Sequence, residues 1–487
     1  MAIADALVAA LPGPRGAFAA AIAVGDRSNI DAGDAEALRA ANLAHLLAIS
    51  GLHMGLLTGL VFALMRLALA ALPGGLASVS AKKVAAVAAL AAGLGYLLLS
   101  DATVATQRAF VMVAVAFTAV LLDRPAITLR GLALAAAVIL ALRPVSLMDA
   151  GFQMSFAATA ALVAGYEEVR RRRQAIWAEA ERGQRSRRDR LMRTAALYLA
   201  ALVFTSVVAG VATAPYAAYH FNRVAPYGLP ANLAAVPVMG LVIAPAGIAA
   251  AVLAPLGLEG PALWLMGEGI AWVLTVAHAT AALHGAVRPV PVAPEPVLAL
   301  VTLGGLWLFL WRGRFRLAGL AGVAAALALW VGAPQRPEVL IAPGARLVGV
   351  LGSKGRVLDH DRAQSFVAET WLRRDGAAAA QADAAARPCL TRGKGWSSVV
   401  LANGWRLEVV HGRRVARKRT ASLCRPRTLL VMRHGAAHAG PYRPYLYLGK
   451  SRLDSLGAVA VHAEPEGLRL VPSRDPARQR LWSGAAE

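Results

Sequence analysis

Charged residues are scarce in this sequence. They make up 16% of its 487 residues, whereas hydrophobic residues make up 57%. A soluble globular domain usually contains about 25% charged and about 45–50% apolar residues, so the composition excludes an ordinary water-soluble enzyme. Apolar runs of about 20 residues, the length that crosses about 30 Å of hydrocarbon, recur from His45 to Ala333 and then stop. The sequence therefore predicts a polytopic membrane protein whose C-terminal region is of a different kind.

Acidic residues are the rarer of the two charges. The chain has 28 Asp and Glu against 51 Lys and Arg, and its net charge is +23. Residues 334–487 alone hold 26 basic and 12 acidic residues. Such a basic surface suits an anionic partner, either nucleic acid or anionic lipid. A genome that favours Arg would produce part of the same bias, so charge alone leaves the partner open.

Cysteine is nearly absent as well. Cys389 and Cys424 lie in the C-terminal region, where they could pair in an oxidising compartment or stay free thiols. We find no GxxxxGK[ST] phosphate loop, and residues 1–24 lack the basic start of a secretory signal and are broken by a Pro-Gly-Pro run. We therefore expect the first span to direct membrane insertion, and another protein to supply energy for any directional transport.

Breaks by Pro, Gly and charged residues divide the apolar region into ten predicted spans. The stretch 127–142 is short and could be tilted or re-entrant. The predicted fold class is an all-α polytopic membrane protein of about ten helices with a small C-terminal α+β soluble domain. The spans lie near residues 43–65, 83–100, 102–122, 127–142, 149–166, 194–218, 229–254, 261–283, 295–311 and 315–333.

The distribution of arginine predicts the orientation. The longest predicted loop, 167–193, carries ten arginines and is predicted to be cytoplasmic. Alternate loops counted from it are also basic. With an even number of spans, residues 1–42 form an N-terminal periplasmic segment, 43–333 the membrane domain and 334–487 a periplasmic soluble domain. The basic residues of the alternate loops are Lys82, Lys83, Arg124, Arg130, Arg312, Arg314 and Arg316.

The first predicted span contains polar residues that a bilayer disfavours. A charge at the bilayer centre costs about 2.5–3.5 kcal/mol on insertion scales, so such residues are candidates for function. His45 and His53 are eight residues apart, about 80° around one helix, so both could face one cavity. Ser50 and His53 could instead form a nucleophile and base, although no orienting carboxylate is evident nearby.

Glycines form a stripe along the same span. Gly51, Gly55 and Gly59 recur every fourth residue and leave one helix face without side chains. This spacing is typical of a face against which another helix packs closely. With two histidines nearby, it also fits the wall of a pore or a binding face.

A second polar group opens the third span. Asp101, Gln107 and Arg108 lie at its start and in its first turns. Arg108 could extend its charge to the membrane interface, or it could contact phosphate, because its guanidinium offers forked donors to phosphate oxygens.

The fifth span carries three residues on one face. Asp149, Gln153 and Phe156 are spaced i, i+4 and i+7. Asp149 could be only a helix N-cap, a position that Asp favours, but Gln153 has no such role. We therefore regard Asp149 and Gln153 as candidates to line the path.

Later spans are interrupted by Pro215, Asn232 and Pro237, and residues 220–223 are predicted to form a periplasmic loop. Broken helices are tolerated in a bilayer where they line protein or a water-filled cavity. This pattern favours a conduit.

Three blocks in this region resemble a known family. HLLAISGLHMG, which begins at His45, closely resembles the HLLAISGLHVG signature of the ComEC competence channel proteins. DAGFQMSF, which begins at Asp149, resembles that family's GFQLSF block, and NLAAVP, which begins at Asn232, its NLLAVP block. The resemblance covers roughly residues 20–333.

The resemblance implies transport of single-stranded DNA across the bacterial inner membrane during natural transformation. No cofactor is implied. The implied partners are single-stranded DNA, a periplasmic DNA receptor, a cytoplasmic helicase-like motor and single-strand-binding proteins. The residues alone leave two rivals open: a proton-coupled transporter of small solutes or lipids that uses His45, His53 and Asp149 as a relay, and an intramembrane hydrolase built on Ser50.

Two features of the family are not matched. Members typically carry an OB-like DNA-binding domain between earlier spans, and the resemblance does not extend to such a domain. Many members end in a metallo-β-lactamase-like domain, whose two metals need an HxHxDH run that is absent here. The fragments Asp359-His360-Asp361 and His434 with His438 are isolated, so we expect surface residues, no metal and no nuclease activity.

The C-terminal region alternates β-rich runs with turns, which predicts a small α+β module. The resemblance implies a degenerate, metal-free relative of the metallo-β-lactamase-like domain. A basic run in it could grip phosphate or be a solvated loop; its residues are Arg413, Arg414, Arg417, Lys418 and Arg419. The predicted strands lie at 338–341, 347–351, 396–401, 406–410, 428–432 and 458–462.

Overall fold

The computed structural model describes residues 2–47, 49–71, 79–180, 187–332, 336–412, 414–415, 426–434 and 446–474. The chain forms two compact units. The first is Met1–Arg288 with Glu295–Ala328, and the second is Pro289–Pro294 with Leu329–Glu487.

Helices make up the first unit, as the apolar runs predict. Every predicted span coincides with a helix. The helices are α1 Ala2–Ala10, α2 Pro14–Val24, α3 Ala32–Ala40, α4 Ala44–Leu47, α5 Gly51–Ala71, α6 Val79–Leu99, α7 Val104–Leu121, α8 Leu129–Leu142, α9 Ala150–Ala180, α10 Arg187–Phe221, α11 Gly228–Val238, α12 Ala244–Leu253, α13 Gly260–Ala281, α14 Glu295–Leu310 and α15 Ala318–Val331, and two short strands are β1 Arg223–Val224 and β2 Arg288–Pro289.

Seven helical segments among the described residues are long and apolar enough to cross a membrane. They do not include α8 or α14, which are apolar but shorter. The predicted polytopic helical fold is confirmed, with seven such segments where the sequence suggested ten. The seven are Gly51–Ala71, Ala81–Leu99, Val104–Leu121, Met192–Phe221, Gly228–Leu256, Gly260–Ala281 and Gly313–Val331.

The first predicted span begins later than expected. The short helix α4 ends at Leu47, and α5 starts at Gly51, where the Ser50 carbonyl accepts the N–H of Met54 at 3.1 Å. The expectation that His45 and His53 share one helix is therefore wrong.

The N-terminal helices belong to the core of the first unit. Phe18 on α2 is 1% exposed and packs in one cluster with Leu38, Met239 and Ile270. We expected residues 1–42 to form a separate segment outside the membrane domain. They pack into the bundle instead, because α2 is rich in small apolar residues that fit closely against α13.

The basic segment 167–193 is largely helical rather than a loop. Helix α9 continues to Ala180, and α10 begins at Arg187. Arginine is a good helix former, and Glu168 pairs with Arg172 one turn later at 2.7 Å. The fifth predicted span thus continues into the first part of the basic segment as α9, and the last part of the basic segment continues into the sixth span as α10.

Ion pairs connect helix ends of the first unit. Lys83 pairs with Asp123 at 2.9 Å, and Arg312 pairs with Glu167 at 3.2 Å, so basic turns that were predicted to share a side are in contact. At other helix ends, Arg223 contacts Glu36 at 2.8 Å.

Prolines distort the later helices less than expected. Helix α10 runs without interruption through Pro215, where we expected a break. Helix α11 contains Pro237 and leads into a π-helical turn, Met239–Ile243, before α12. Gly269 of α13 leaves room for this turn: a Cβ atom at Gly269 would lie only 2.7 Å from the Ile243 side chain.

The second unit contains two five-stranded sheets, which confirms the predicted α+β module. One sheet has the order β12-β11-β3-β4-β5 and is antiparallel, and the other has the order β10-β9-β8-β7-β6 with parallel pairing of β8, β9 and β10. All six predicted strands are present, and four others, β5, β6, β10 and β12, were missed. The strands are β3 Val339–Ile341, β4 Val348–Gly352, β5 Gly355–Leu358, β6 Thr391–Gly393, β7 Trp396–Val400, β8 Arg406–Val410, β9 Thr428–Met432, β10 Leu446–Leu448, β11 Val459–Glu464 and β12 Gly467–Pro472, with helices α16 Ser365–Arg374, α17 Gln381–Ala386 and α18 Lys450–Leu456.

The core of the second unit forms between alternating residues of both sheets. Val350, Leu407 and Val431 are each at most 1% exposed and belong to one cluster. The helix α16 covers a second cluster that includes Leu358 and Leu372. Because both sheets are packed into this core, the residues that follow β5 and β8 are held in defined positions.

Candidate functional site

The start of α5 joins Ser50 to His53. The Ser50 Oγ lies 3.1 Å from the His53 Nδ1, and the His53 ring is 7% exposed. Its Nε2 is buried and makes no hydrogen bond with any described residue. A buried polar atom without a partner costs about 1–3 kcal/mol, so this nitrogen calls for an explanation. No carboxylate among the described residues orients the ring. The alternative of a hydrolase built on Ser50 and His53 therefore lacks the third residue of a catalytic triad.

The glycine stripe of α5 faces open space. A Cβ atom at Gly51, Gly55 or Gly59 would meet no atom within 4 Å. By contrast, a Cβ atom at Gly304 of α14 would lie 2.7 Å from the Gly319 carbonyl of α15, which is the close helix packing that small residues permit. Within the described residues of the first unit, the α5 stripe therefore has no such packing partner.

His53 does not share the face of this stripe. Two residues span about 200° of an α-helix, so His53 lies about 160° from Gly55 around α5. The buried side of α5 carries His53, Met54 and Thr58. The expected combination of histidines and glycines along one wall is therefore wrong: glycines line the open face, and His53 points into the bundle.

Arg108 and Asp149 link α7 to the start of α9. The Arg108 Nη1 donates to the Asp149 Oδ2 at 2.6 Å, and the Arg108 side chain is 11% exposed. A Cβ atom at Gly151 would lie 2.5 Å from the Arg108 Nη2, so the missing side chain makes room for the guanidinium. Asp149 also accepts the N–H of Gly151 at 3.3 Å, as an N-cap residue does. The charge of Arg108 is thus already balanced by a carboxylate.

Gln153 links α9 to α10 one turn further on. Its Nε2 donates to the Leu147 carbonyl at 2.8 Å, and its Oε1 lies 2.8 Å from the His220 Nε2, which therefore donates. His220 is in the last turn of α10, not in a loop as predicted. The face of α9 that carries Asp149 and Gln153 thus holds three helices together through polar contacts.

The other predicted residues do not join this group through a hydrogen bond or ion pair among the described residues. The Gln107 Nε2 donates to the nearby Ala102 carbonyl at 2.6 Å, and the exposed His45 ring lies 3.1 Å from the Asn42 carbonyl. The Asn232 Oδ1 is buried and has no hydrogen-bond partner among the described residues. Asp101 is exposed in the turn before α7. No described contact connects His45, His53 and Asp149 into a proton relay.

The sequence reasoning missed one charged pair inside the helices. Glu268 lies in the middle of α13, and its carboxylate is 2.5 Å from the Arg15 guanidinium on α2. An acidic residue inside a predicted span was the signal that could have found it. Its partner was harder to predict, because α2 was not expected to pack against α13.

The second unit brings two residues of the Asp359-His360-Asp361 fragment, which the sequence treated as isolated, next to His411, which the sequence analysis did not single out. Asp359 follows β5, and its buried side chain lies 3.1 Å from both the His360 Nδ1 and the His411 Nε2. The expectation of a surface position is wrong for Asp359, whose side chain is 1% exposed and accepts the N–H of Val348 on β4. Burial would raise the pKa of Asp359, but contacts with His360, His411 and the Val348 N–H outweigh burial and lower it. Asp359 in turn raises the pKa of His360.

The remaining predictions in this unit are tested only in part. Of the basic run, Arg414 is described and exposed, and the other four residues lie outside the described residues. Cys389 is exposed, and Cys424 also lies outside the described residues. Phosphate binding by the run and pairing of the cysteines stay predictions.

The apolar helices, their polar interhelical contacts and the appended sheets define a polytopic membrane protein with a C-terminal α+β unit. The chain belongs to the competence protein family, since residues 22–315 match the family described as Competence protein. It is also similar to ComE operon protein 3 of Bacillus subtilis (strain 168), with 26% identity over 234 residues, or 48% of this chain and 26% of that relative. The chain thus matches well under two thirds of the relative's length. No solved structure matches.

Proposed function

We propose that this protein forms an inner-membrane channel through which single-stranded DNA enters the cytoplasm during natural transformation. Membership of the competence protein family supports a role in DNA uptake. The observation that carries the channel is the open glycine face of α5, which lies in the block most similar to the family signature.

The proposed path runs along Gly51, Gly55 and Gly59. Without side chains, this face leaves width for bases and presents helix backbone to the strand. A conduit for any sequence must avoid base-specific contacts and act on the backbone of the strand, through charge and stacking. Arg108 suits such a path only as part of its pair with Asp149, since a lone buried cation would hold each phosphate too strongly to release it.

His53 has a supporting role in this proposal. It packs behind the glycine face and contacts Ser50 at the point where α4 gives way to α5. We infer that the contact fixes the start of α5, so that the glycine face keeps its direction. The Ser50→Ala variant separates this role from hydrolysis, because a positioning contact leaves residual DNA import and a nucleophile does not.

The proposed orientation follows the basic helix ends. Cytoplasmic segments are enriched in Lys and Arg, so the ends of α9 and α10 next to residues 181–186 are assigned to the cytoplasm. The pair between Arg312 and Glu167 then assigns the turn before α15 to the same side. Helix α15 returns to the opposite side, and we propose that the second unit lies in the periplasm, where a DNA receptor would deliver the strand. A cytoplasmic motor and single-strand-binding proteins would act on the emerging end.

Substitutions at glycine test the path. In a naturally transformable bacterium whose own channel gene is deleted, this protein is expressed as the natural chain or as Gly55→Leu. Import of labelled DNA into the cytoplasm and membrane abundance are measured together. We expect Gly55→Leu to lower import at least about tenfold at unchanged abundance, because a side chain would narrow the path.

The matched control is Gly95→Leu on α6. Gly95 is also exposed, and a Cβ atom there also meets nothing within 4 Å. Import should remain at the level of the natural chain. Equal import by Gly55→Leu and Gly95→Leu would remove α5 from the path, and import by a strain that lacks the protein altogether would refute the channel itself.

A further inference from the structure

We propose that Asp359, His360 and His411 form a binding site for one divalent transition-metal ion, with Zn²⁺ as the expected occupant. The site lies in the second unit and does not depend on the proposed channel. It also differs from the HxHxDH run, because its residues come from two distant parts of the sequence and no such run occurs.

Strand pairing holds the carboxylate in place. The N–H of Asp359 donates to the Val348 carbonyl at 3.0 Å, and the N–H of Val348 donates to the Asp359 Oδ1 at 2.9 Å. A ligand carboxylate that accepts a hydrogen bond from the backbone is a common outer-shell arrangement in metal sites. Asp359 is therefore oriented before any ion binds.

The second histidine comes from the other sheet. His411 follows β8, and its N–H donates to the Gly395 carbonyl at 2.9 Å, which anchors the residue to the turn before β7. The imidazoles of His360 and His411 meet edge to face with their centroids 4.4 Å apart. The site thus joins the ends of β5 and β8, one from each sheet.

The ligand atoms are close but are not satisfied by each other. One ligand atom from each of the three residues lies within 4.8 Å of the others. Despite contacts of 3.1 Å, the Asp359 Oδ2, the His360 Nδ1 and both nitrogens of His411 make no well-aligned hydrogen bond within the described residues. A purely structural network would align these bonds, since each unmet buried group costs about 1–3 kcal/mol. Unpaired donor atoms this close together suit a shared cation instead.

The ligand set and spacing fit zinc. Zinc binds imidazole nitrogen at about 2.0–2.1 Å and carboxylate oxygen at about 2.0–2.2 Å, so tetrahedral ligand atoms lie about 3.3 Å apart. The Asp359 Oδ2 and the His411 Nε2 are 3.1 Å apart, close to this value, and the His360 Nδ1 lies 3.1 Å from the other carboxylate oxygen, Oδ1. Three protein ligands leave a fourth position for water, as in catalytic rather than structural zinc sites.

The buried carboxylate of Asp359 contacts both imidazoles and supplies the negative charge of the site. His360 is 34% exposed and His411 15% exposed, so an ion can enter from the side of His360.

Zinc binding by the full chain in detergent tests the proposal. The protein is purified with a tag that lacks histidine, stripped with chelator and dialysed against Zn²⁺ at known free concentrations. We expect one ion per natural chain. Loss of an outer-shell partner costs about 10–100-fold in affinity, so loss of a ligand in His411→Ala or Asp359→Asn should cost at least about 100-fold.

Two controls separate this site from other ligands. His462→Ala removes a partly buried histidine on β11 outside the site, and Cys389→Ser removes an exposed thiol; neither should change the affinity. Circular dichroism of each variant reports whether it is folded. Co²⁺ in the natural chain should give the visible bands of a tetrahedral ion without thiolate charge transfer.

Three results would overturn the site. The natural chain could bind no more zinc than a variant that lacks all three ligands. His411→Ala could bind zinc as tightly as the natural chain. The zinc could also disappear with Cys389→Ser and not with folded Asp359→Asn, which would assign it to a thiol.

Discussion

The ion pair between Arg108 and Asp149 predicts unequal responses to the loss of its two partners. Arg108 is 11% exposed and Asp149 is 45% exposed. Asp149→Ala therefore leaves an enclosed guanidinium without its carboxylate, whereas Arg108→Leu leaves a carboxylate at a helix end that solvent can reach. Removal of one partner from a fully buried pair costs about 3–5 kcal/mol. Since Asp149 is only half-buried, we expect about 2–3 kcal/mol for Asp149→Ala and about 1 kcal/mol for Arg108→Leu.

Unfolding of the purified protein in detergent by increasing fractions of denaturing detergent measures these losses. The double variant with Arg108→Leu and Asp149→Ala should lose about as much stability as Arg108→Leu alone, because without Arg108 the loss of Asp149 leaves no buried charge unpaired. Asp123→Ala is the control: its pair with Lys83 is exposed at 53% and 40%, so the loss should stay within about 0–1 kcal/mol. Equal losses for Asp149→Ala and Arg108→Leu, or a loss for Asp123→Ala as large as either, would refute the reasoning from burial.

Two further substitutions test the packing, one in each unit. Asp375→Ala should destabilise the second unit by about 3–5 kcal/mol, because the fully buried Arg356 donates to both Asp375 oxygens at 2.5 and 3.2 Å. Chemical unfolding measures the loss of stability, and a loss no larger than that of Glu464→Ala, which breaks an exposed ion pair, would contradict the prediction. Gly304→Leu should lower thermal stability more than Gly305→Leu, since only the first side chain would meet the α15 backbone, and equal melting temperatures would show that α14 and α15 do not pack as described.

The positions of the helices were predictable because each apolar run is bounded by Pro, Gly or charge. The start of α5 was missed although Ser50 and Gly51 form a turn signal there, because Gly51 was assigned to the regular repeat of Gly51, Gly55 and Gly59 along one helix. The burial of α2 was also missed, because its short apolar run is below spanning length and only the fold reveals the surface of α13 that accepts it.

For the polar contacts, too, local positions were predictable from the sequence and partners from distant parts of the chain were not. The i, i+4 spacing singled out Asp149 and Gln153, and the structure places Asp149 just before α9 and Gln153 in its first turn; their partners Arg108 and His220 come from other helices and depend on tertiary packing. His411 was missed for a related reason. It follows an ordinary apolar strand, and only the pairing of strands within two sheets brings it to Asp359 and His360.

The π-helical turn at Met239–Ile243 has a consequence for the helices on either side of it. A π turn accommodates one residue more than an α-helical turn of the same rise, so the side chains that follow are rotated by about 100° relative to a regular helix. The periodicity of α11 therefore cannot be extended into α12, and Asn232 and Ala246 face different neighbours than a regular helix would give them. Removal of a single residue from this turn would realign both halves and withdraw Ile243 from the space that Gly269 leaves for it.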